Sequence, residues 1–496
     1  MSTKIFRNAA VILATLLATS SLGGAALAQS ITIAIGSEPS TLDPQLRDDG
    51  GERQVNDNIY EALMTREAAG KLVPGLAAAE PTQINDTTWQ FKLREGVKFH
   101  NGAAFNADSV VATVTRIIDP ANNSEQMAYF NTIVGAEKVD ELTVNILTSG
   151  TDPILPSRMY WMRIIDPEYS RTGDLASAPV GTGPYKFDSW NRGSDLKLVA
   201  NSDYWGGAPK IKEATYRFVA EPGTRLSGLM AGEFDLITNL LPEFTTSVPK
   251  FAAVPGLETS VFALGTDNEV VKDPKVREAL NLAIDRQSMI DGLFMGYATI
   301  ANGTSINHAA FGHNKELKSY PFDLARAQQL IKDAGAVGKP LHVIGESGRW
   351  LKDREQIEAV AAFWSQTGLT VTVEIQEFSQ YLDSLMGDGP RPDAIFLHNS
   401  NELLDADRES SYLYHKDGQA SSNSDEEMAT KIDAARVEPD QAKRKALYDE
   451  IQQRIHDQNY AIPLFNLQDI YGLSERMVWQ PRVDAKLKII EMDLTE

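Results

Sequence analysis

The sequence predicts an α/β protein of two or more domains, and three observations lead to this prediction. Segments that alternate apolar and polar residues, as strands do, are interleaved with segments of helical periodicity along the chain. From Asp273 onward the alternation becomes regular, as it is when parallel strands are joined by helices. About 468 of the 496 residues remain after a predicted leader, which is more than one hydrophobic core normally organises.

The first 28 residues have the pattern of a cleaved secretory signal peptide. Lys4 and Arg7 give a basic start, an apolar run extends from Ala9 to Leu22, and Ala26-Leu27-Ala28 forms a small-x-small cleavage site. The run is shorter than the ~20 residues of a bilayer-spanning helix, and no cysteine follows it to carry a lipid. An uncleaved membrane anchor is the alternative interpretation. We expect a soluble protein exported to the periplasm of a Gram-negative bacterium.

The composition excludes several classes of partner and site. Loss of Lys4 and Arg7 with the leader lowers the formal net charge from −21 to −23. Nucleic acid and anionic membranes are therefore not expected as partners, because phosphate contacts need clustered Lys and Arg. The chain has no cysteine, so it forms neither disulfides nor thiolate metal sites. No later segment is long and apolar enough to insert into a membrane.

In the first half of the chain, strands and helices are mixed irregularly. Alternating patterns predict strands at residues 31–35, 89–93, 142–146, 197–199 and 215–218. Asn106 is placed to cap a helix whose apolar face includes Val110 and Val114, and Pro120 ends this helix.

The second half contains the regular units. Asp273 is an N-cap followed by proline at the first helical position, and Asp323 caps a second helix that Gly335 ends. The elements predicted next are strand 341–344, helix 353–366, strand 369–375, strand 393–397, helix 440–457 and an extended segment from Ala461. The polar stretch from Ser421 to Glu427 predicts a surface loop.

Sequence motifs of catalysis are missing. The chain contains no phosphate-binding loop, no dinucleotide fingerprint and no nucleophile elbow. The seven histidines show no His-x-x-x-His spacing, so neither a metal site nor a cofactor is predicted. We therefore expect a protein that is not an enzyme. A secreted hydrolase with paired carboxylates is the alternative from another class, because separation in space is invisible in the sequence.

Several stretches, taken in order, carry a resemblance to a known family. They are Gly36–Pro44, Tyr60–Leu63, Trp89–Gly102, Phe105–Val110, Pro179–Tyr185, Asn201–Trp205 and Asp273–Leu280. Together they resemble the family 5 extracellular solute-binding proteins of ABC importers, the group that binds dipeptides, oligopeptides and nickel. The stretches cover nearly the whole chain after the leader.

This resemblance implies a bilobed periplasmic-binding-protein-like fold of type II, with two lobes joined by a hinge that the chain crosses twice. Lobe I would comprise residues 29–264 and 468–496, with an inserted subdomain at about 60–180, and lobe II residues 265–467. The implied function is capture of a small polar solute, a short peptide or peptide-like compound, in the interlobe cleft. A monomer would deliver this ligand to permease subunits in the inner membrane.

The resemblance also implies ligand-binding residues in three regions. Glu38 follows the first strand, and Tyr129 lies where relatives place an aromatic ring against the ligand. Arg349 and Trp350 precede the helix near residue 353, where an arginine would hold a ligand carboxylate and a tryptophan would stack. The alternatives are a solvated loop carboxylate for Glu38 and a core ring for Tyr129. Trp161 is a further candidate, with the same alternative of a core ring.

The third region follows the strand that begins near Asp393. Peptide-binding relatives read Gly-Trp-x-x-Asp where this chain has His398-Asn399-Ser400-Asn401-Glu402. Asn399 replaces the tryptophan, and Glu402 replaces the aspartate that would pair with a peptide ammonium. His398, Asn399 and Asn401 would also suit a ligand with many polar groups. Opines, sugar phosphodiesters and oligosaccharides therefore stay open as alternative ligands, as does a polar loop without ligand.

Overall fold

The computed structural model describes residues 29–47, 50–347, 350–387, 389–421 and 423–495. The predicted signal peptide lies outside these residues. The strands are Ser30–Ile35 (β1), Met64–Arg66 (β2), Leu72–Pro74 (β3), Thr82–Asn85 (β4), Thr88–Lys92 (β5), Ile133–Asp140 (β6), Thr143–Thr148 (β7), Tyr185–Asn191 (β8), Asp195–Ala200 (β9), Glu213–Phe218 (β10), Leu236–Ile237 (β11), Lys250–Leu264 (β12), Ala298–Ile300 (β13), Pro340–Gly345 (β14), Thr370–Ile375 (β15), Ala394–Ser400 (β16), Ala461–Leu473 (β17), Met477–Val478 (β18) and Asp493–Leu494 (β19).

Helices occur between the strands throughout the chain. They are Gly50–Ile59 (α1), Ala107–Ile117 (α2), Leu155–Trp161 (α3), Tyr169–Thr172 (α4), Pro222–Met230 (α5), Pro274–Leu282 (α6), Arg286–Leu293 (α7), Leu324–Asp333 (α8), Asp353–Ser365 (α9), Phe378–Met386 (α10), Ala406–Glu409 (α11), Glu426–Val437 (α12) and Gln441–Gln458 (α13). A π-helix, Ser410–Tyr414, follows α11.

Two long antiparallel strands connect the lobes. The largest sheet has 11 strands in the order β15-β14-β16-β12-β17-β11-β1-β10-β9-β8, with β13 added beside β17. Strand β12 has 15 residues and β17 has 13, and the two pair along most of their lengths. The first part of β12 pairs with β17, whereas its last part pairs with both β17 and β16. The register shifts between Pro255 and Thr259, where one part gives way to the other.

The inserted sheet of the first lobe has its own hydrophobic core. Strands β4, β5, β7 and β6 form a four-stranded sheet, and α2 packs against it. Leu403 joins this core from the second lobe and is only 2% exposed. The first residues after β16 are therefore packed against the inserted sheet.

Capping residues begin and end the helices as the sequence predicts. Asn106 accepts hydrogen bonds from the backbone of Asp108 and Ser109 and forms a capping box at the start of α2. Asp323 accepts from the backbone of residue 326 at the start of α8. Gly335 ends that helix with φ +62°, a conformation that residues with a Cβ rarely adopt. These predictions are confirmed.

The prediction of a surface loop at residues 421–427 is correct only in part, because Ser424, Glu426 and Glu427 are exposed but two other residues are not. Ser421 and Asn423 are buried. The Asn423 amide donates to the carbonyl of Tyr414 and to the Ser421 hydroxyl, which accounts for the burial of a polar stretch. Asp425 then caps α12, which begins at Glu426.

Candidate functional site

The loop between β16 and α11 lies against the first lobe. Arg66 reaches across and donates a 2.7 Å hydrogen bond to the carbonyl of Leu403. This contact and the burial of Leu403 hold Glu402, the preceding residue, at the boundary between the lobes. The side chains around Glu402 therefore come from both lobes.

Glu402 and Arg53 form an ion pair across this boundary. Arg53 lies on α1 and donates a 2.8 Å hydrogen bond to the Glu402 carboxylate, while the Ser400 hydroxyl donates a second bond of 2.7 Å. The Glu402 side chain is only 8% exposed. Burial raises the pKa of Glu402, but Arg53 and Arg408 outweigh burial and lower it from 4.5 to about 2. The carboxylate is therefore ionised at neutral pH.

A second cation and two aromatic rings border this ion pair. The Arg408 guanidinium lies 4.0 Å from the Glu402 carboxylate and 5.5 Å from the ring centre of Tyr129. Arg53 lies 5.1 Å from the ring of Trp161. The Tyr129 and Trp161 rings are 5.4 Å apart, so each cation faces an aromatic ring of the first lobe. Both rings are buried, and Tyr129 combines a core position with contact to Arg408.

Trp350 and His398 form a stack on the second lobe. Their ring centres are 4.9 Å apart and the rings are inclined by 19°. His398 is held on both sides, since Nδ1 lies 3.1 Å from the Glu258 carboxylate and Nε2 lies 3.3 Å from the Gln356 amide. The His398 side chain has no exposed surface. Its position in the structure is that of a support for Trp350.

Asn401 belongs to the framework of the loop. Its side chain accepts from the backbone N–H of Asp405 at 3.3 Å and donates to the carbonyl of the same residue at 2.8 Å. Arg444 of α13 then binds the Asp405 carboxylate through two hydrogen bonds of 2.7 and 2.6 Å. Through these contacts Asn401 shapes the loop that carries Glu402.

One sequence-predicted residue, Glu38, lies apart from this group. Glu38 accepts 2.9 Å and 3.0 Å hydrogen bonds from the Trp190 indole and the backbone of Gly193, so it fastens the turn between β8 and β9. No hydrogen bond among the described residues joins Glu38 to Glu402 or to its neighbours. Arg349 lies outside the described residues.

Sequence reasoning missed Arg53 and Arg408. Arg53 pairs with a residue 349 positions away, so no local pattern marks it. Arg408 stands in a charged stretch that is typical of a solvated surface, yet its guanidinium lies 4.0 Å from the buried Glu402 carboxylate. Within the described ranges, no group of three His, Asp or Glu side chains could hold a metal ion. No helix of that part of the chain has the length and apolarity to cross a membrane.

The fold and this boundary between two lobes define a solute-binding protein of the bilobed class. Residues 71–421 match the model of the bacterial extracellular solute-binding proteins, family 5. The chain belongs to this family of extracellular solute-binding proteins. The family and the bilobed α/β fold predicted from the sequence are thereby confirmed.

Relatives and solved structures agree with this assignment. The glutathione-binding protein GsiB of Escherichia coli strain K12 is 29% identical over 387 residues, which cover 74% of this chain and 73% of GsiB. The structure of DppA from Helicobacter pylori, in complex with the peptide STSA, has a TM-score of 0.79 and 24% identity and covers 94% of this chain and 98% of DppA. The structure of AgaA from A. tumefaciens R10, in complex with agropinic acid, has a TM-score of 0.78 and 22% identity and covers 94% of this chain and 99% of AgaA.

Proposed function

We propose that the protein captures a small solute carrying both an amine and a carboxylate, such as a short peptide or peptide-like compound. Capture would occur in the periplasm, after removal of residues 1–28, and the protein would act as a monomer that delivers the solute to membrane permease subunits. The observation that carries the proposal is the ion pair between Arg53 and Glu402, which joins one cation and one anion across the lobes.

The ion pair presents the charges that a zwitterionic ligand needs. A ligand ammonium can take the place of the Arg53 guanidinium on Glu402, because both donate charge-assisted hydrogen bonds to a carboxylate. Arg53, once released, can bind the ligand carboxylate in the two-pronged geometry that suits arginine. Each charge then keeps a partner of opposite sign, so the exchange leaves no buried charge alone.

Aromatic and hydrogen-bonding groups around the pair would complete the ligand site. Tyr129 and Trp350 offer ring surfaces from the two lobes, and Arg408 provides a second cation 4.0 Å from Glu402. A solute held between these groups would contact both lobes at once. Binding energy would then favour the closed arrangement, as expected of a protein that presents its closed form to a permease.

Opines such as octopine share the amine and carboxylate of peptides and stay within this proposal. Neutral oligosaccharides and sugar phosphodiesters offer no ammonium for Glu402, so the ion pair favours them less. A glycoside hydrolase with paired carboxylates needs one carboxyl that stays protonated as an acid. Glu402, with a pKa of about 2, is unsuited to that task. We therefore propose that the ligand is bound and released unchanged.

We also propose where the chain crosses between the lobes. Residues 259–264 of β12 pair with β16, and the register shift begins after Pro255. The crossing in β12 would then lie between Pro255 and Thr259, several residues before the boundary predicted at 264. The return crossing in β17 would lie near Gln468, opposite Pro255.

Calorimetric titration with Ala-Ala, octopine and maltotriose tests the ligand class. We expect Ala-Ala or octopine to bind, to weaken at least tenfold in Glu402→Gln, and to be recovered unchanged. Glu243→Gln is the matched control, because Glu243 also pairs across the lobes, with Lys352, but is 37% exposed. Binding of maltotriose with equal affinity to the parent and to Glu402→Gln would contradict the proposal.

A further inference from the structure

A carboxyl group lies where the chain is proposed to return to the first lobe. Asp469 belongs to β17 and follows Gln468, the residue opposite Pro255 at which the register begins to shift. In the bulge that results, three residues of β12, Gly256 to Glu258, stand opposite a single residue of β17. A bulge bends its strand, which suits a place where two lobes turn against each other.

The Asp469 carboxyl lies over the backbone of this bulge. A Cβ added to Gly256 would lie 2.8 Å from the Oδ2 atom of Asp469, so glycine leaves the room that the carboxyl occupies. Asp469 is half-buried. Among the residues that the structure describes, none forms a hydrogen bond or an ion pair with its side chain.

Glu258 faces Asp469 from the side of the second lobe. It ends the bulge, and its Oε2 atom lies 3.1 Å from Nδ1 of His398, on β16. The His398 ring in turn stacks on Trp350. Glu258 is thus tied to the second lobe, and its negative charge acts on Asp469.

Asp484 faces Asp469 from the side of the first lobe. Arg482 donates two hydrogen bonds of 2.9 Å to the Asp484 carboxylate, and the Tyr160 hydroxyl donates a third of 3.0 Å. Tyr471, two residues after Asp469 on β17, is the other titratable group that faces it, and the charge of Asp469 raises the pKa of the Tyr471 hydroxyl. Asp469 therefore meets a like charge from each lobe.

These surroundings disfavour the ionised form of Asp469. Burial, followed by the charges of Glu258 and Asp484, raises the pKa of Asp469 from 3.8 to about 7. When the lobes separate, Glu258 moves with one lobe and Asp484 with the other, and water reaches the Asp469 carboxyl. Its pKa then falls towards the ordinary value, so the proton is bound more tightly while the lobes are in contact.

We propose that Asp469 makes the hinge sensitive to pH: when protonated it allows the lobes to close, and when ionised it drives them apart through Glu258 and Asp484. The inference adds a regulation to the proposed capture of a solute and rests on the lobe movement of that proposal. The closed arrangement should be weakest above about pH 7 and should gain stability as the pH falls below this value.

Energy transfer between dyes on the two lobes of the ligand-free protein tests the hinge. From pH 8.0 to pH 5.5 the ratio of closed to open molecules should rise at least about threefold in the parent. In Asp469→Asn, which keeps the size of the side chain without its charge, the ratio should stay nearly constant over this range. A constant ratio in the parent, or an equal rise in the parent and in Asp469→Asn, would overturn the proposal.

His398 supplies the matched control, because a histidine also titrates between about pH 5 and pH 8. His398→Gln should keep the rise seen in the parent. A rise that is lost in His398→Gln and survives in Asp469→Asn would assign the effect to the histidine and overturn the proposal. Should Asp469→Asn fail to fold, Glu258→Gln added to His398→Gln decides: a midpoint that moves to lower pH supports the proposal, and an unchanged midpoint overturns it.

The dye measurement needs no ligand, so its failure leaves the proposed capture of a solute standing. Failure of Ala-Ala and octopine to bind the parent at both pH 5.5 and pH 8.0 would contradict the proposed function instead. The dye distances would then still decide whether Asp469 controls the hinge.

Discussion

Removal of the Arg53 guanidinium should open the two lobes of the ligand-free protein. The substitution Arg53→Met keeps much of the apolar stem but leaves Glu402 without its cation from the first lobe. Glu402 is buried on the second lobe, so the loss falls mainly on the closed arrangement, where the carboxylate is taken out of water. In an open arrangement water can solvate the carboxylate.

The magnitude follows from the geometry of the pair. Breaking a buried ion pair costs about 3 to 5 kcal/mol, whereas exposed pairs contribute about 0 to 1 kcal/mol. Arg53 is 29% exposed and Glu402 8% exposed, so Arg53→Met is expected to destabilise the closed arrangement by about 2 kcal/mol, between these two cases. The lowering of the Glu402 pKa from 4.5 to about 2 corresponds to about 3 kcal/mol, shared by all groups that stabilise its charge. A loss of about 2 kcal/mol lowers the ratio of closed to open molecules about 30-fold.

Single-molecule energy transfer between dyes on the two lobes measures this ratio. The chain has no cysteine, so one cysteine introduced on each lobe labels uniquely. Lys352→Met is the control, because Lys352 pairs with Glu243 across the lobes at 2.9 Å but this pair is more exposed. Arg53→Met should populate a longer distance, while Lys352→Met should change the distribution little. Equal effects of the two variants would refute the reasoning.

Four other outcomes are expected. Because the Glu402 pKa is lowered, the ionised carboxylate stabilises the closed arrangement fully above about pH 4.5, and this stabilisation is lost as the pH falls towards 2. The fraction of closed molecules should therefore fall over this range more in the parent than in Glu402→Gln. Asn399→Trp should weaken ligand binding at least tenfold in calorimetry, because a much larger ring replaces the buried Asn399 side chain; unchanged affinity would contradict this. Arg444→Met should lower the free energy of unfolding in urea by about 3 to 5 kcal/mol, because it leaves the buried Asp405 carboxylate unpaired; a loss below about 1 kcal/mol would count against this. Trp350→Ala should weaken ligand binding without changing the position of Glu402, which titration and a crystal structure would check.

The sequence predicts those elements that local chemistry determines. Asn106 and Asp323 mark helix starts because a capping side chain satisfies backbone donors only two or three residues away. Within the polar stretch after residue 420, the burial of Ser421 and Asn423 is not predicted, for the opposite reason. Asn423 is buried because its amide reaches the carbonyl of Tyr414, nine residues earlier, and polarity alone does not show such a contact.

The site is predicted only in part, since it depends on contacts between distant segments. The resemblance places Glu402 and Trp350 in the binding region. In the structure Glu402 lies near the lobe boundary, and Trp350 stacks on His398. Arg53 could not be found in this way, because its partner becomes a neighbour only after folding. Arg408 was overlooked because a charged residue in a charged stretch indicates a solvated surface.

Identification of the small molecule bound to the protein in the periplasm tests the central claim most directly. Protein purified from the native periplasm would be denatured, and the released small molecules identified by mass spectrometry beside those from Glu402→Gln. We predict a stoichiometric solute with at least one amine and one carboxylate from the parent, and little or none from the variant. A neutral sugar released equally from both proteins would contradict the account.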